Sequence, residues 1–126
     1  MKTAAIFFAL ACYGSTAVAC ADVDALMSSS ETGSDAALSL QNRSVSEPFE
    51  GRIWLCDVQS FSDVKLEAVM PAHNHGLVYD PEITRNEDGS FTVKNLLFHM
   101  PGLWQVSFEV EHAEGRDRYV WDIYQD

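Results

Sequence analysis

Apolar side chains fall at every second position along residues 104–110: Trp104, Val106, Phe108 and Val110, separated by Gln105, Ser107 and Glu109. A period of two belongs to a strand with one face buried and the other in water; the apolar stripe of a helix recurs every three to four residues. A similar run lies upstream, where Val64, Leu66, Ala68 and Met70 enclose Lys65 and Glu67, and another downstream at Tyr119, Trp121 and Ile123. Residues 52–58 are rich in β-formers and apolar on both faces, and residues 91–98 read as a strand bulged near Asn95. Turn chemistry punctuates these runs. Asn86-Glu87-Asp88-Gly89 supplies the Asp-Gly pair whose glycine accepts the positive φ of a tight turn, and Ala113-Glu114-Gly115 reverses the chain again. Six or seven short strands over residues 48–126, with no helical period and no internal repeat, predict an all-β fold, a small antiparallel two-sheet β-sandwich. Trp54, Trp104 and Trp121 sit on strand faces and are expected in its core.

A chain of 126 residues holds at most one ordinary domain, and 47% hydrophobic residues suffice for a core. Part of that apolar content belongs to the start. Lys2 is followed by an apolar run over residues 4–11 and then by small residues ending in Ala17-Val18-Ala19-Cys20-Ala21, the layout of an export signal. The run is shorter than the roughly 20 residues that span a bilayer. Residues 1–21 are therefore expected to be a signal peptide, and the protein extracytoplasmic, either periplasmic or lipid-anchored to the cell envelope. Two small-x-small boxes, one ending at Ala19 and one at Ala21, fit cleavage. Ala17-Val18-Ala19-Cys20 also resembles a bacterial lipobox, with Ala17 where a larger apolar residue is usual, and would leave a lipid on Cys20. Membrane contact is expected only through that lipid. A Cys20–Cys56 disulfide is the competing use of the same sulfur, and a small buried hydrophobe is the plainer reading of Cys56. Residues 22–47 are polar and low in complexity, centred on Ser28-Ser29-Ser30-Glu31-Thr32-Gly33-Ser34-Asp35, and read as a flexible stalk with at most a helical turn over residues 36–40.

Acids outnumber bases 19 to 8. Such a surface repels phosphate backbones, so no nucleic acid partner is expected. No Gly-x-Ser-x-Gly elbow occurs, and Asp80, Glu82, Glu87 and Asp88 stand in polar loops without an apolar pocket to raise a carboxyl pKa. The chain is read as a non-enzyme. Asp122 is expected to be solvated or paired with Arg116 or Arg118.

The unusual chemistry lies in Met70-Pro71-Ala72-His73-Asn74-His75-Gly76 and in Phe98-His99-Met100-Pro101-Gly102. Three of four histidines and two of four methionines occupy these two proline-marked strand ends. Imidazole accepts either copper oxidation state, and thioether sulfur favours Cu(I). His73, His75 and His99, with Met70, form the candidate copper ligands. Met100 shares the parity of Leu96 and Phe98 and should face the core. The competing reading makes the same side chains structural: imidazoles bonded to loop carbonyls, methionines filling gaps. His112, at a polar turn, is expected to be solvated. Zinc is a weaker candidate, since zinc sites seldom use Met.

The Met70-Pro-x-His-x-His-Gly76 segment, the Asp88-Gly-x-Phe-x-Val93 strand and His99-Met-Pro-Gly-x-Trp104 together resemble the YtkA-like domain family over residues 48–126. The resemblance implies an exported immunoglobulin-like sandwich in a bacterial envelope, secreted or membrane-tethered. Such domains are often encountered beside copper-handling and oxidase-maturation proteins. Asn74 stands where the family often has glycine. The expected partners are a copper ion or another envelope protein.

Overall fold

The computed structural model describes Cys20 and residues 25–30, 35–57 and 60–126. The expected signal segment lies outside the described residues except for Cys20. Among the described residues the protein is all-β. Its strands are β1 (Leu26–Ser30), β2 (Ala36–Gln41), β3 (Phe49–Leu55), β4 (Asp63–Met70), β5 (His75–Gly76), β6 (Glu82–Arg85), β7 (Phe91–Leu96), β8 (Gly102–His112) and β9 (Gly115–Gln125). They hydrogen-bond in the order β5-β4-β8-β9-β1-β2-β3-β7-β6, with every pairing antiparallel.

This continuous order folds into two sheets because β1 changes sides. Its residues 26–28 pair with β2, and Ser29 and Ser30 pair with Val120 and Tyr119 of β9. Trp121 fastens the crossing strand by donating its indole N–H to the Leu26 carbonyl at 3.1 Å. One sheet is thus β2-β3-β7-β6 and the other β5-β4-β8-β9, an immunoglobulin-like sandwich. The inward residues of both sheets form one core, including Ile53, Val93 and Phe91 from the first and Trp104, Phe108 and Trp121 from the second. The alternation read along residues 104–110 is the burial seen: Trp104, Val106, Phe108 and Val110 are each 2% exposed or less. Trp54 departs from expectation. It is half-buried on the outer face of β3, with the Arg52 guanidinium 5.9 Å from its ring centre.

Residues 22–47 are not a stalk throughout. β2 is a full member of the first sheet, in register with β3 over six residue pairs, and Ala36, Ala37 and Leu38 are 0–1% exposed. The expected helical turn at residues 36–40 is this strand. Its small side chains have weak strand preference of their own; the open edge of β3 and the core beneath it confer the extended state. Residues 21–24 and 31–34 lie outside the described residues.

Cys20 and Cys56 form a disulfide with their Cα atoms 5.3 Å apart. This replaces two expectations. Cys56 is half-buried and bonded, not a buried free thiol, and the Cys20 sulfur that a lipid would occupy is already taken. The bridge closes a loop of 36 residues that contains β1, β2 and β3. The Cys56 N–H also donates to the Asp35 carbonyl at 2.9 Å, which fastens the start of β2 next to the bridge.

Turns follow the local chemistry. Gly89 adopts φ +86° in the β6–β7 turn, its N–H donating to Asn86 at 3.0 Å. Asp88 accepts from both the backbone N–H of Ser90 (2.9 Å) and its hydroxyl (2.5 Å). Those bonds, the hydroxyl's first, hold the Asp88 carboxyl below its ordinary range. A depressed carboxyl stabilises the fold above its unfolded pKa, and the contribution is lost as pH falls through the folded value. Acidification through about pH 4 and below should therefore weaken wild-type more than Asp88→Asn, which retains an acceptor but cannot protonate. Denaturant midpoints for the two proteins at neutral and acid pH measure this; parallel loss would exclude it.

The β8–β9 turn differs from expectation at His112. The backbone N–H of Glu114 donates to His112 Nδ1 at 3.3 Å, which leaves the proton on Nε2, and Nε2 donates to Asp117 Oδ2 at 3.2 Å. Asp117 is 3% exposed, so His112 is the partner of a buried acid. On the outer face of the second sheet, Arg116 reaches Glu109 and Glu111 at 3.7 Å, and Arg118 reaches Glu109 at 4.0 Å. Asp122 is exposed to solvent, one of the two expected outcomes, and accepts from Gln105 at 3.4 Å.

A histidine corner at one end of the sandwich

The register between β4 and β8 brings the two proline-marked corners together. Val69 lies opposite Gln105, and one further step sets Met70 beside Trp104. The end of β4 and the approach to β8 thus occupy the same pole of the molecule. At the first corner, Pro71 ends the ladder and the chain turns back at once: the His73 N–H donates to the Met70 carbonyl at 3.2 Å, and His75 and Gly76 return as β5 against Met70 and Val69. Asn74 carries φ +50°. Asparagine tolerates this left-handed conformation, so the turn forms without a glycine at this position.

The second corner is fixed from below. Trp104 is fully buried and donates its indole N–H to the Met100 carbonyl at 3.0 Å. Phe98 stacks on Trp104, with centroids 4.9 Å apart and planes 16° from parallel, and meets Phe49 of the other sheet edge-on at 5.0 Å. This aromatic column crosses the sandwich and carries His99 on its flank, edge-to-face with Trp104 at 5.6 Å. Gly102 adopts φ +129°, and a Cβ there would stand 3.0 Å from the Met70 methyl. The missing side chain at Gly102 is the space into which Met70 packs.

These constraints place the sequence-derived candidates as follows. His73 and His75 are exposed, with ring centres 6.3 Å apart. His75 and His99 are 6.1 Å apart and nearly perpendicular. His99 is half-buried, and its Nδ1 is enclosed without a hydrogen-bond partner. Met70 is 1% exposed and belongs to the core, so its sulfur does not join the imidazoles at the surface. Met100 packs partly buried against the same core, as its parity implied. Among the described residues, no three His, Cys, Asp or Glu side chains are placed so as to hold one metal ion without moving. His73 and His75 stand on an exposed turn, where rotation about their side-chain bonds is unhindered by core packing. Sequence reasoning missed the role of Trp104: its alternation with Val106 marked it as core, but nothing local signalled the bond from its indole to the His99 corner.

No family model, curated protein or solved structure matches the chain.

Proposed function

We propose that this chain is an exported, non-enzymatic immunoglobulin-like module of the cell envelope that binds or delivers copper through His73, His75 and His99. The carrying observation is the convergence of three imidazoles from two distant segments, with successive ring centres 6.3 and 6.1 Å apart. The partnerless Nδ1 of His99 supports it, because a buried polar nitrogen without a partner is costly and an ion bound there would satisfy it. The donor chemistry points further. With the Met70 thioether withdrawn into the core, the surface donors are imidazole nitrogens, which suit Cu(II) well and forgo the sulfur that favours Cu(I). The likeness of both Met-Pro corners to the YtkA-like family is in keeping with this reading, and the disulfide with an oxidising compartment.

Copper titration tests it. Wild-type protein should take up Cu(II) near one to one. His73→Ala/His75→Ala should weaken binding beyond the roughly 10–100-fold that loss of a merely supporting residue costs. Because both side chains are exposed, the unfolding free energy should change by no more than about 0.5 kcal/mol. Equal affinity in wild-type and variant would exclude the site.

A second reading, an interaction module without metal, is favoured by a different observation. β5 pairs with only Val69 and Met70, so among the described residues nothing pairs with the outer edge of β4 from Asp63 to Ala68. A groove of about 350 Å³ runs beside it, walled by Leu77, Tyr79 and Pro81. An open edge flanked by a groove is where an extended segment of another protein adds as a strand. Crosslinking that recovers a partner from wild-type protein, with no copper uptake, would favour this second reading.

A further inference from the structure

We infer that the mature chain begins at Cys20, cut from its leader between Ala19 and Cys20, and that this terminal residue is stapled to the sandwich through Cys56 without a lipid. The inference rests on the export reading proposed above and is independent of copper.

The sequence offers three fates for this segment. Cleavage after Ala21 satisfies the small-x-small rule through Ala19-Cys20-Ala21 but discards Cys20. Cleavage after Ala19 satisfies it through Ala17-Val18-Ala19 and keeps Cys20. Lipoprotein processing cuts the same Ala19–Cys20 bond, but only after a thioether has formed on the Cys20 sulfur. The structure decides among them because that sulfur is bonded to Cys56. A cut after Ala21 would leave Cys56 as a half-buried, unpaired thiol in an oxidising compartment. A thioether and a disulfide cannot share one sulfur.

The position of the staple agrees with this choice. Cys56 follows Leu55, the end of β3, and Leu55 is in register with Ala36 at the start of β2. The Cys20 sulfur lies 3.9 Å from the Trp54 carbonyl. The bridge therefore holds the beginning of the mature chain beside the strands that β1 and β2 must join. The opposite end of β3, at Phe49, is the end that meets Phe98 and the histidine corner. The terminus is thus secured at one pole and the imidazoles are left open at the other.

The chemistry balances in two steps. Water adds across the Ala19–Cys20 peptide bond, giving a carboxylate on the released leader and a free amine on Cys20. The two thiols then lose two protons and two electrons to a thiol–disulfide oxidant of the exported compartment, whose own disulfide is reduced to a dithiol.

Intact mass and N-terminal sequencing of the full chain, expressed with its own leader in a bacterial host and recovered from the exported fraction, test the inference. The expected product spans residues 20–126, carries no acyl mass, is lighter than the dithiol by two hydrogens, and is alkylated at two thiols only after reduction. A product starting at Asp22, one bearing a diacylglyceryl group on Cys20, or one starting at Cys20 with both thiols free would each overturn it while leaving export intact. A product retaining Met1 inside the cell would overturn the export reading together with this one.

Discussion

Replacing Trp104 with alanine should lower the unfolding free energy by about 3–5 kcal/mol, the range for truncating a fully buried aromatic. Trp104 is 0% exposed, stacked on Phe98 and bonded through Nε1 to the Met100 carbonyl, so its loss opens a cavity and leaves that carbonyl without its donor. Typical domains have only about 5–15 kcal/mol in total, and the variant would be marginal. Trp104→Phe separates packing from positioning. It keeps an aromatic face for Phe98 and removes the N–H, at a cost of about 1–3 kcal/mol for the unpaired carbonyl. If Trp104 positions His99, copper affinity should fall in Trp104→Phe even where the protein remains folded. Denaturant unfolding followed by titration of the folded variant gives both quantities. Full stability in Trp104→Ala would contradict the packing described here; unchanged affinity in Trp104→Phe would remove Trp104 from the site's support.

Breaking the disulfide by Cys56→Ser should cost about 4 kcal/mol, the loop-entropy expectation for a closed loop of 36 residues. For a domain of this size that corresponds to a fall in melting temperature of about 15 °C or more. The loss should not be uniform. The bridge encloses β1, β2 and β3; β3 is held between β2 and β7, whereas β1 holds its place through few described contacts, among them three pairings with β2, two with β9 and the Trp121–Leu26 bond. Hydrogen exchange should therefore accelerate first in β1 and β2, whereas the eleven-pair β8–β9 ladder keeps its protection longer. Even acceleration across both sheets would show that the bridge acts on the whole domain. The histidine corner lies at the other pole, so copper affinity of the folded Cys56→Ser protein should be unchanged.

The sandwich was readable because its strands carry their own period. Val64 to Met70 and Trp104 to Val110 alternate wherever one face meets the core, and Asp88-Gly89 turns the chain by chemistry that needs no distant partner. β2 was not readable for the converse reason. Ala36, Ala37 and Leu38 follow a polar tract and have little strand preference; they are extended because β3 offers an edge and the core accepts them. The helical turn and the stalk were reasonable expectations from composition and failed on pairing. The candidate site divides the same way. Residue type singled out both Met-Pro corners, and parity assigned Met100 to the core. Met70 was counted as a candidate ligand because the sequence did not show that Gly102 leaves space for its methyl.

By itself, then, the order of residues determined the strand runs, most of the turns and which two segments hold the histidines, since period, turn propensity and residue type act over a few neighbours. Only the tertiary structure decided that those segments meet, through the antiparallel register of β4 on β8, and that Cys20 is joined to Cys56. It also decided that β1 and β2 belong to the fold. Each of these depends on contacts between residues far apart in the chain, whose energies exist only once the two sheets have closed on a common core.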